Sequence, residues 1–220
     1  MFNSEQEIIY NNFFKKQYIK MDYIYIIFAY FAGSIPIAYL YFKLTKNKDI
    51  RNYGSGNSGA LNILRSQNLY SGAIVLTIDL IKAGLIAIAG KNIEISDFGL
   101  YVGTILSVIG HNYPIYLRFK GGKGVSTVAG VTLIIITIPS IIAGITIALI
   151  TLILRSPLWG IFCGAVILNL ATLIFEKSIT LSIWCIVMSL IVLTTHLSRR
   201  RKDLIPAIKN IDLNRIGKIE

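Results

Sequence analysis

Residues 124–154 decide the fold class, because GVSTVAGVTLIIITIPSIIAGITIALITLIL contains no charged side chain. A helix needs roughly 20 apolar residues to cross the ~30 Å hydrocarbon core of a bilayer. This run of 31 residues is therefore too long for one crossing and short for two. Pro139-Ser140 lies near its middle, and proline disfavours helical geometry in the residue before it. We expect a hairpin of two short helices, although one long kinked helix also fits the pattern.

The composition of the whole chain agrees with a membrane location. Of its 220 residues, 54% are hydrophobic and 15% are charged, and the mean hydropathy is +0.64. An ordinary soluble domain carries roughly 25% charged residues. The composition therefore excludes a typical cytosolic globule, and a disordered chain would need far lower hydrophobicity. We predict a single-domain, all-α integral membrane protein.

Five further apolar stretches are long enough to be membrane spans: 23–42, 69–90, 98–117, 158–175 and 179–197. With residues 124–154 counted as two, the prediction is seven transmembrane helices, with five or six as alternatives. Residues 1–22 lack the features of a signal peptide and are interpreted as an extra N-terminal segment. The transmembrane domain is then 23–197, followed by a basic cytoplasmic tail over 198–220.

The distribution of charge predicts the orientation in the membrane. In the seven-span arrangement, one side holds 16 basic and four acidic residues, and the other holds five basic and six acidic residues. Positively charged loops mark the cytoplasmic side. The C-terminus and the glycine-rich loops are therefore expected in the cytoplasm, and the N-terminus outside. The net charge of +11 is explained by topology and does not indicate a nucleic-acid partner.

The cysteines and histidines do not suggest a metal or a cofactor. Cys163 and Cys185 lie inside apolar runs, where free cysteine usually serves packing. The two histidines, His111 and His196, have no metal-ligand spacing with them or with each other.

The first motif is Gly33-Ser34-Ile-Pro36, inside the first span. Pro36 removes a backbone donor, so the carbonyls it frees need a partner within the membrane. Ser34 can supply one, although a simple proline kink is the alternative.

The second motif is DIRNYGSGNSGALNILR, residues 49–65. It contains the G-x-G-x-x-G pattern, but a membrane span precedes it where a dinucleotide site needs a strand. Its glycines let backbone N–H groups converge on an anion. Side chains in this stretch can add hydrogen bonds and planar guanidinium donors for phosphate, namely Ser55, Asn57, Asn62, Arg51 and Arg65. A flexible basic linker is the alternative.

The third motif joins Gly110-His111-Asn112 to FKGGKGVST, residues 119–127. The spacing differs from that of a Walker A loop, yet the glycines lead directly into an apolar helix. The N-terminus of such a helix favours anions, and Lys123 adds a positive charge. A positively charged turn without further role remains the alternative.

Two phosphate-compatible loops on one face indicate that two anionic groups are held together, as transfer between phosphorylated substrates requires. Asp79 and Lys82 lie three apart within a span and either neutralise each other or present Lys82 to a substrate phosphate. His111 and His196 each end a span, and either is a structural or a site histidine.

In this order and spacing, the segments resemble the motifs of the bacterial acyl-phosphate:glycerol-3-phosphate acyltransferases. The resemblance covers about residues 24–200 and rests on 33–43, 49–65, 79–83, 110–112 and 119–127. It implies a seven-span enzyme of the bacterial inner membrane that needs no cofactor. Such an enzyme moves an acyl chain from acyl-phosphate to the 1-hydroxyl of sn-glycerol 3-phosphate, giving lysophosphatidic acid and phosphate. A substrate phosphate then serves as the base, and we expect a monomer in contact with membrane lipid.

The resemblance also assigns roles. The residues expected to orient the reacting groups are Ser34, Asn62 and His111. Those expected to bind phosphate are Arg51, Ser55, Gly56, Asn57, Gly59, Arg65, Asn112, Gly121, Gly122, Lys123, Gly124, Ser126 and Thr127. Lys82 and His196 are further candidates.

The tail departs from the family pattern His-x-x-Asn-Ile-x-Arg, because Arg199 stands at the asparagine position after His196. A partial echo of the pattern follows in Asn210-Ile211, Arg215 and Gly217–Glu220. Two other functions stay open at this point. One is a transporter of anions or phosphate esters, and the other is a lipid-binding relative without activity.

Overall fold

The computed structural model describes the backbone of residues 4–209 and the side chains of residues 17–199. Within that range the chain is helical, with two short 3₁₀ turns at Ile50–Asn52 and Ile115–Leu117. The α-helices are α1 Ser4–Gly33, α2 Ile37–Lys46, α3 Ala60–Ser66, α4 Leu69–Asn92, α5 Asp97–Asn112, α6 Val125–Ile135, α7 Thr137–Leu154, α8 Pro157–Glu176 and α9 Ile179–Lys209.

Five helical stretches within residues 17–199 are long and apolar enough to cross a membrane. They are Gln17–Lys46, Leu69–Asn92, Thr137–Leu154, Pro157–Glu176 and Ile179–Arg199. Helix α5 has 16 residues and α6 has 11, which at 1.5 Å per residue falls short of a full crossing. The prediction of an all-helical membrane protein with five to seven spans is therefore confirmed.

The first span is broken at the predicted proline. Helix α1 ends at Gly33, and α2 begins after Pro36. The Ser34 hydroxyl donates to the Tyr30 carbonyl at 2.8 Å, and the Lys82 ammonium donates to the carbonyls of Gly33 and Ile35 at 3.0 and 2.9 Å. The Lys82 side chain of α4 thus satisfies two of the carbonyls that the break exposes in the membrane.

The uncharged run forms two helices, α6 and α7, separated by Ile136 alone. Val125 and Ile147 both line one cavity, so α7 folds back along α6 as the hairpin interpretation requires. The expected position of the break, Pro139-Ser140, was wrong by three residues. Pro139 occupies the first turn of α7, where a backbone N–H has no partner in the helix and proline is tolerated.

The largest hydrophobic cluster includes buried residues of α4 to α9. Val108, Val131, Trp184, Cys185 and Met188 are buried there, and the Trp184 indole donates to Thr104 Oγ1 at 3.1 Å. Cys185 is a buried free thiol and Cys163 is a half-buried one, in keeping with the packing role expected of both. This packing fixes the ends of α5, α6 and α9 relative to one another.

The predicted domain boundaries fall within helices. Residue 22 lies in the middle of α1, and its carboxylate accepts bonds from the Ser96 amide and hydroxyl at 2.8 and 2.6 Å. Residues 197 and 198 lie in α9, which continues to Lys209. The N-terminal segment and the start of the tail therefore extend the first and last spans. Residues 210–220, with the partial motif expected there, lie outside the described residues.

Candidate active site

A cavity of about 660 Å³ opens between the two glycine-rich loops and the helices beside them. Ten of the predicted site residues line it: Ser55, Asn57, Gly59, Asn62, Arg65, His111, Lys123, Gly124, Ser126 and His196. The rest of the wall is apolar and includes Leu69, Leu76, Leu80, Leu133, Ile141, Ile145, Leu158 and Ile161. The cavity is therefore polar and cationic where the loops meet and hydrocarbon-like along α4, α6, α7 and α8.

The first glycine loop, residues 53–59, is shaped by Asn62. The Asn62 amide nitrogen donates to the carbonyls of Tyr53 and Asn57 at 2.9 and 2.8 Å and to that of Ile50 at 3.3 Å. Its amide oxygen accepts from the Ser55 N–H at 2.9 Å. Asn62 was expected to orient a substrate hydroxyl, but both ends of its amide are engaged. Asn62 therefore holds the first glycine loop in the structure, and its role toward a substrate hydroxyl stays a prediction.

Two glycines let the first glycine loop wrap this closely around Asn62. Gly54 and Gly56 have φ angles of 55° and 72°, in the left-handed region that side chains disfavour. A methyl group at Gly54 would collide with the Asn62 amide oxygen. Gly56, predicted to bind phosphate, turns the chain and does not line the cavity.

Arg51 lies beside the cavity rather than in its wall. Its guanidinium donates to both carboxylate oxygens of Asp49, the shortest bond being 2.6 Å, and to the Leu117 carbonyl at 3.0 Å. It also stacks over the ring of Tyr39. Hydrogen bonding from Arg51 holds the pKa of the Asp49 carboxyl below its ordinary value. Arg51 thus ties the 3₁₀ turn at Ile50–Asn52 to the one at Ile115–Leu117, and its contact with a substrate phosphate stays a prediction.

The second glycine loop, residues 119–124, folds back on the end of α5. The amides of Gly121 and Gly122 donate to the carbonyls of Asn112 and His111 at 3.1 and 2.9 Å. A methyl group at Gly121 would collide with the His111 carbonyl and with Pro114, and one at Gly122 with the His111 imidazole. These amides were predicted to donate to phosphate. Their hydrogens are used within the fold, and the glycines serve the close approach of loop and helix.

The start of α6 supplies free donors instead. Gly124 has a φ of 85° and precedes α6 with no side-chain cap, so the first N–H groups of that helix have no intrahelical acceptor. Lys123 and Ser126 lie at this end, in the cavity wall. Thr127 was predicted alongside them but is fully buried away from the wall. The structure thus brings the predicted helix N-terminus and its lysine to the cavity wall, and anion binding there stays a prediction.

His111 stands between the cavity and a buried ion pair. Asp79, only 1% exposed, has a carboxylate oxygen 3.3 Å from the Lys82 ammonium and 3.7 Å from His111 Nδ1. The self-neutralising pair expected of Asp79 and Lys82 is present. Lys82 faces the carbonyls of the broken first span and does not line the cavity, which disfavours its alternative role at a substrate phosphate.

Two other predicted site residues are buried and bond to the protein itself. Ser34 is fully buried and donates to Tyr30, as described for the helix break. Asn112 is equally buried, and its amide donates to Thr195 Oγ1 at 3.0 Å. Neither lines the cavity; Asn112 joins α5 to α9, and the roles of Ser34 toward the substrate and of Asn112 toward phosphate stay predictions.

Arg199 is the residue that the sequence did not assign to the site. Its guanidinium donates to Asn57 Oδ1 at 2.7 Å and to the carbonyls of Gly121 and Asn112. The signal was its position three residues after His196, since such residues share one face of a helix. His196, a less certain candidate, lines the cavity.

Comparison with known proteins identifies the family. The family model described as glycerol-3-phosphate acyltransferase matches residues 23–204. A relative from Thermoanaerobacter sp. (strain X514), named glycerol-3-phosphate acyltransferase, is 34% identical over 181 residues, which are 81% of this chain and 89% of the relative.

Two crystal structures of PlsY, an integral membrane glycerol 3-phosphate acyltransferase, share the fold. The glycerol 3-phosphate form has a TM-score of 0.76 at 30% identity. The lysophosphatidic acid form has a TM-score of 0.70 at 26% identity. Each alignment covers 86% of this chain and 93% of the other. From the family match, the sequence identity and the shared helical fold, the chain belongs to the glycerol-3-phosphate acyltransferase family.

Proposed function

We propose that this chain transfers an acyl group from acyl-phosphate to the 1-hydroxyl of sn-glycerol 3-phosphate. The observation that carries the proposal is the division of one cavity into a cationic end and an apolar end. Each substrate has a phosphate, and one of them also has a hydrocarbon chain. A single amphipathic cavity matches that combination, and the relatives are named for the same acceptor.

The reaction needs little acid–base chemistry from the protein. The hydroxyl oxygen of glycerol 3-phosphate bonds to the carbonyl carbon of the acyl-phosphate, and the bond from that carbon to the phosphate oxygen breaks. The hydroxyl proton passes to the departing phosphate, so the products are lysophosphatidic acid and inorganic phosphate. Because the donor is a mixed anhydride, positioning and charge stabilisation supply most of the catalysis.

The cationic end is assigned to the two phosphate groups. Lys123 and Arg65 bring positive charge to it, and Ser55 and Asn57 bring hydrogen-bonding side chains. The free N–H groups at the start of α6 point toward the same region with the positive end of a helix dipole. Charge that builds on the leaving phosphate in the transition state is stabilised by this set.

His111 is assigned to the acceptor hydroxyl and the acyl carbonyl. It lines the cavity, and a carboxylate oxygen of Asp79 lies 3.7 Å behind its Nδ1. A carboxylate in this position favours the tautomer with a hydrogen on Nδ1. Nε2 can then accept a hydrogen bond from the substrate hydroxyl. In this arrangement His111 orients the hydroxyl, and the substrate phosphate receives its proton.

The apolar end is assigned to the acyl chain. Leucine and isoleucine side chains of α4, α6, α7 and α8 form its wall. Burial of each methylene contributes about 0.8 kcal/mol, so this surface contributes strongly to binding a fatty acyl donor.

We infer the orientation of the chain in the membrane from the distribution of its charge and from the solubility of the acceptor substrate. Glycerol 3-phosphate is soluble, and the basic loops that bound the cationic end carry the topology signal of the cytoplasmic face. We therefore place the cavity mouth and the C-terminus in the cytoplasm, the N-terminus outside, and the chain in the bacterial cytoplasmic membrane as a monomer.

Phosphate release by the purified protein in detergent tests the proposal. Palmitoyl-phosphate is supplied with and without sn-glycerol 3-phosphate, with palmitoyl-CoA as the matched donor control. We expect glycerol 3-phosphate-dependent release, formation of lysophosphatidic acid and no turnover of the thioester. Folded protein that binds glycerol 3-phosphate but releases no phosphate would overturn the proposal in favour of a binding relative. Flux of glycerol 3-phosphate into liposomes without acylation would overturn it in favour of a transporter.

A further inference from the structure

Arg199, near the end of the described part of α9, contacts three separate segments of the chain. Its guanidinium reaches the Asn57 side chain in the first glycine loop, the Gly121 carbonyl in the second glycine loop, and the Asn112 carbonyl at the end of α5. The guanidinium carbon also lies 5.9 Å from the centre of the Tyr113 ring. One side chain therefore joins α9 to both loops and to the helix that carries His111.

The chemistry of these contacts requires arginine. The acceptors are one amide oxygen and two peptide carbonyls, arranged around a planar fork with five donors. A lysine ammonium has no such fork and cannot reproduce this geometry. These contacts therefore make Arg199 a structural clamp that depends on the planar shape of the guanidinium.

The position of the clamp links it to the cavity. Asn57 and His196 line the cavity, and Lys123 lies two residues from Gly121 in the same wall. Each loop has its own internal supports, namely Asn62 for the first and the His111 and Asn112 carbonyls for the second. The Ser58 hydroxyl of the first loop also donates to the Lys120 carbonyl of the second, at the long distance of 3.5 Å, and Arg199 bonds both loops from a third element, α9.

We propose that Arg199 is a positioning residue that sets the separation of the two glycine loops, and with it the fit of the cationic end to the substrate phosphates. It acts through Asn57 and Gly121 and does not touch the substrate. The inference rests on the proposed function for its catalytic consequence, whereas the clamp itself is a property of the fold.

Arg199→Lys is the decisive variant, because it keeps the charge and removes the fork. Loss of hydrogen bonds to a charged donor corresponds to roughly a tenfold change or more. We expect KM for glycerol 3-phosphate to rise about tenfold, with kcat less affected, because phosphate contacts bind ground state and transition state alike. Arg155→Lys, the same change at an exposed position between α7 and α8, is the matched control and leaves KM unchanged.

Hydrogen–deuterium exchange provides a readout that does not depend on turnover. In Arg199→Lys we expect faster exchange at the amides of Gly121 and Gly122 and unchanged exchange in α4 and α8. Wild-type KM and wild-type exchange at those amides would overturn the clamp. Faster exchange throughout the chain would also overturn it, because Arg199 would then support the fold in general. An inactive wild-type protein that still showed the local exchange change would refute the proposed function and leave the clamp in place.

Discussion

Several polar side chains around the site form hydrogen bonds within the protein. Asn62 and Arg51 were attractive phosphate or hydroxyl ligands by type, yet their donors meet carbonyls and a carboxylate of the chain. Each such bond satisfies a polar group beside an apolar bundle, where an unpaired group is costly. Lys123, Arg65, Ser55 and His111 line the cavity beside this hydrogen-bonded frame.

The Asp79–Lys82 pair can be tested by removing its cation. Replacing Lys82 with Met leaves the Asp79 carboxylate buried beside His111 without its cation. Removing one partner of a buried pair costs about 3–5 kcal/mol, so the melting temperature of Lys82→Met in detergent should fall markedly. The control Lys46→Met changes an exposed lysine and should melt like the wild type.

The double variant Asp79→Asn, Lys82→Met separates charge burial from helix capping. It removes the unpaired carboxylate but still lacks the bonds to Gly33 and Ile35. We expect it to recover part of the lost stability. A double variant as unstable as Lys82→Met would contradict the account of the pair, because the carboxylate would then carry no cost.

The helices define what the cavity accepts. Helix α7 folds back from α6 at Ile136 and so provides one wall of the apolar end. Gly144 lies in that wall, and a side chain added there would meet no atom within 4 Å. The gap therefore belongs to the cavity rather than to helix packing.

Filling this gap yields a prediction for chain length. Gly144→Leu projects a side chain into the apolar end and should lower turnover of palmitoyl-phosphate about tenfold, an effect of the size that one or two methylenes have in a pocket. Turnover of a short-chain acyl-phosphate should change little. Leu149→Phe, on the exposed face of the same helix, is the control. Equal loss for both donors in Gly144→Leu would refute the assignment of this end to the acyl chain.

Sequence and structure agree best on helices and least on hydrogen bonds. The length of the apolar stretches predicted the helical elements of the fold. Ten of the site residues predicted from the sequence line one cavity. The sequence could not show that the Gly121 and Gly122 amides bond the end of α5, because that depends on how closely two segments approach. The same reason hid Arg199, whose acceptors lie about 80 and more residues away in the chain.

Charge is distributed unevenly between the two predicted sides of the molecule, and the orientation in the membrane can be measured. Single cysteines at Lys46 and Glu94 lie at opposite ends of the predicted bundle, both on exposed positions. In intact cells we expect a membrane-impermeant maleimide to label Glu94→Cys, and to label Lys46→Cys only after permeabilisation. The parent chain is the control for Cys163 and Cys185. Labelling of Lys46→Cys in intact cells would reverse the topology.

In the proposed function, Lys123 binds the substrate phosphates at the cationic end of the cavity. The most direct test measures glycerol 3-phosphate-dependent phosphate release by Lys123→Ala and by Lys120→Ala, an exposed lysine of the same glycine loop that does not line the cavity. We expect a loss on the order of a hundredfold in kcat/KM for Lys123→Ala and near wild-type turnover for Lys120→Ala. Equal activity in the two variants, both folded, would contradict this role of Lys123.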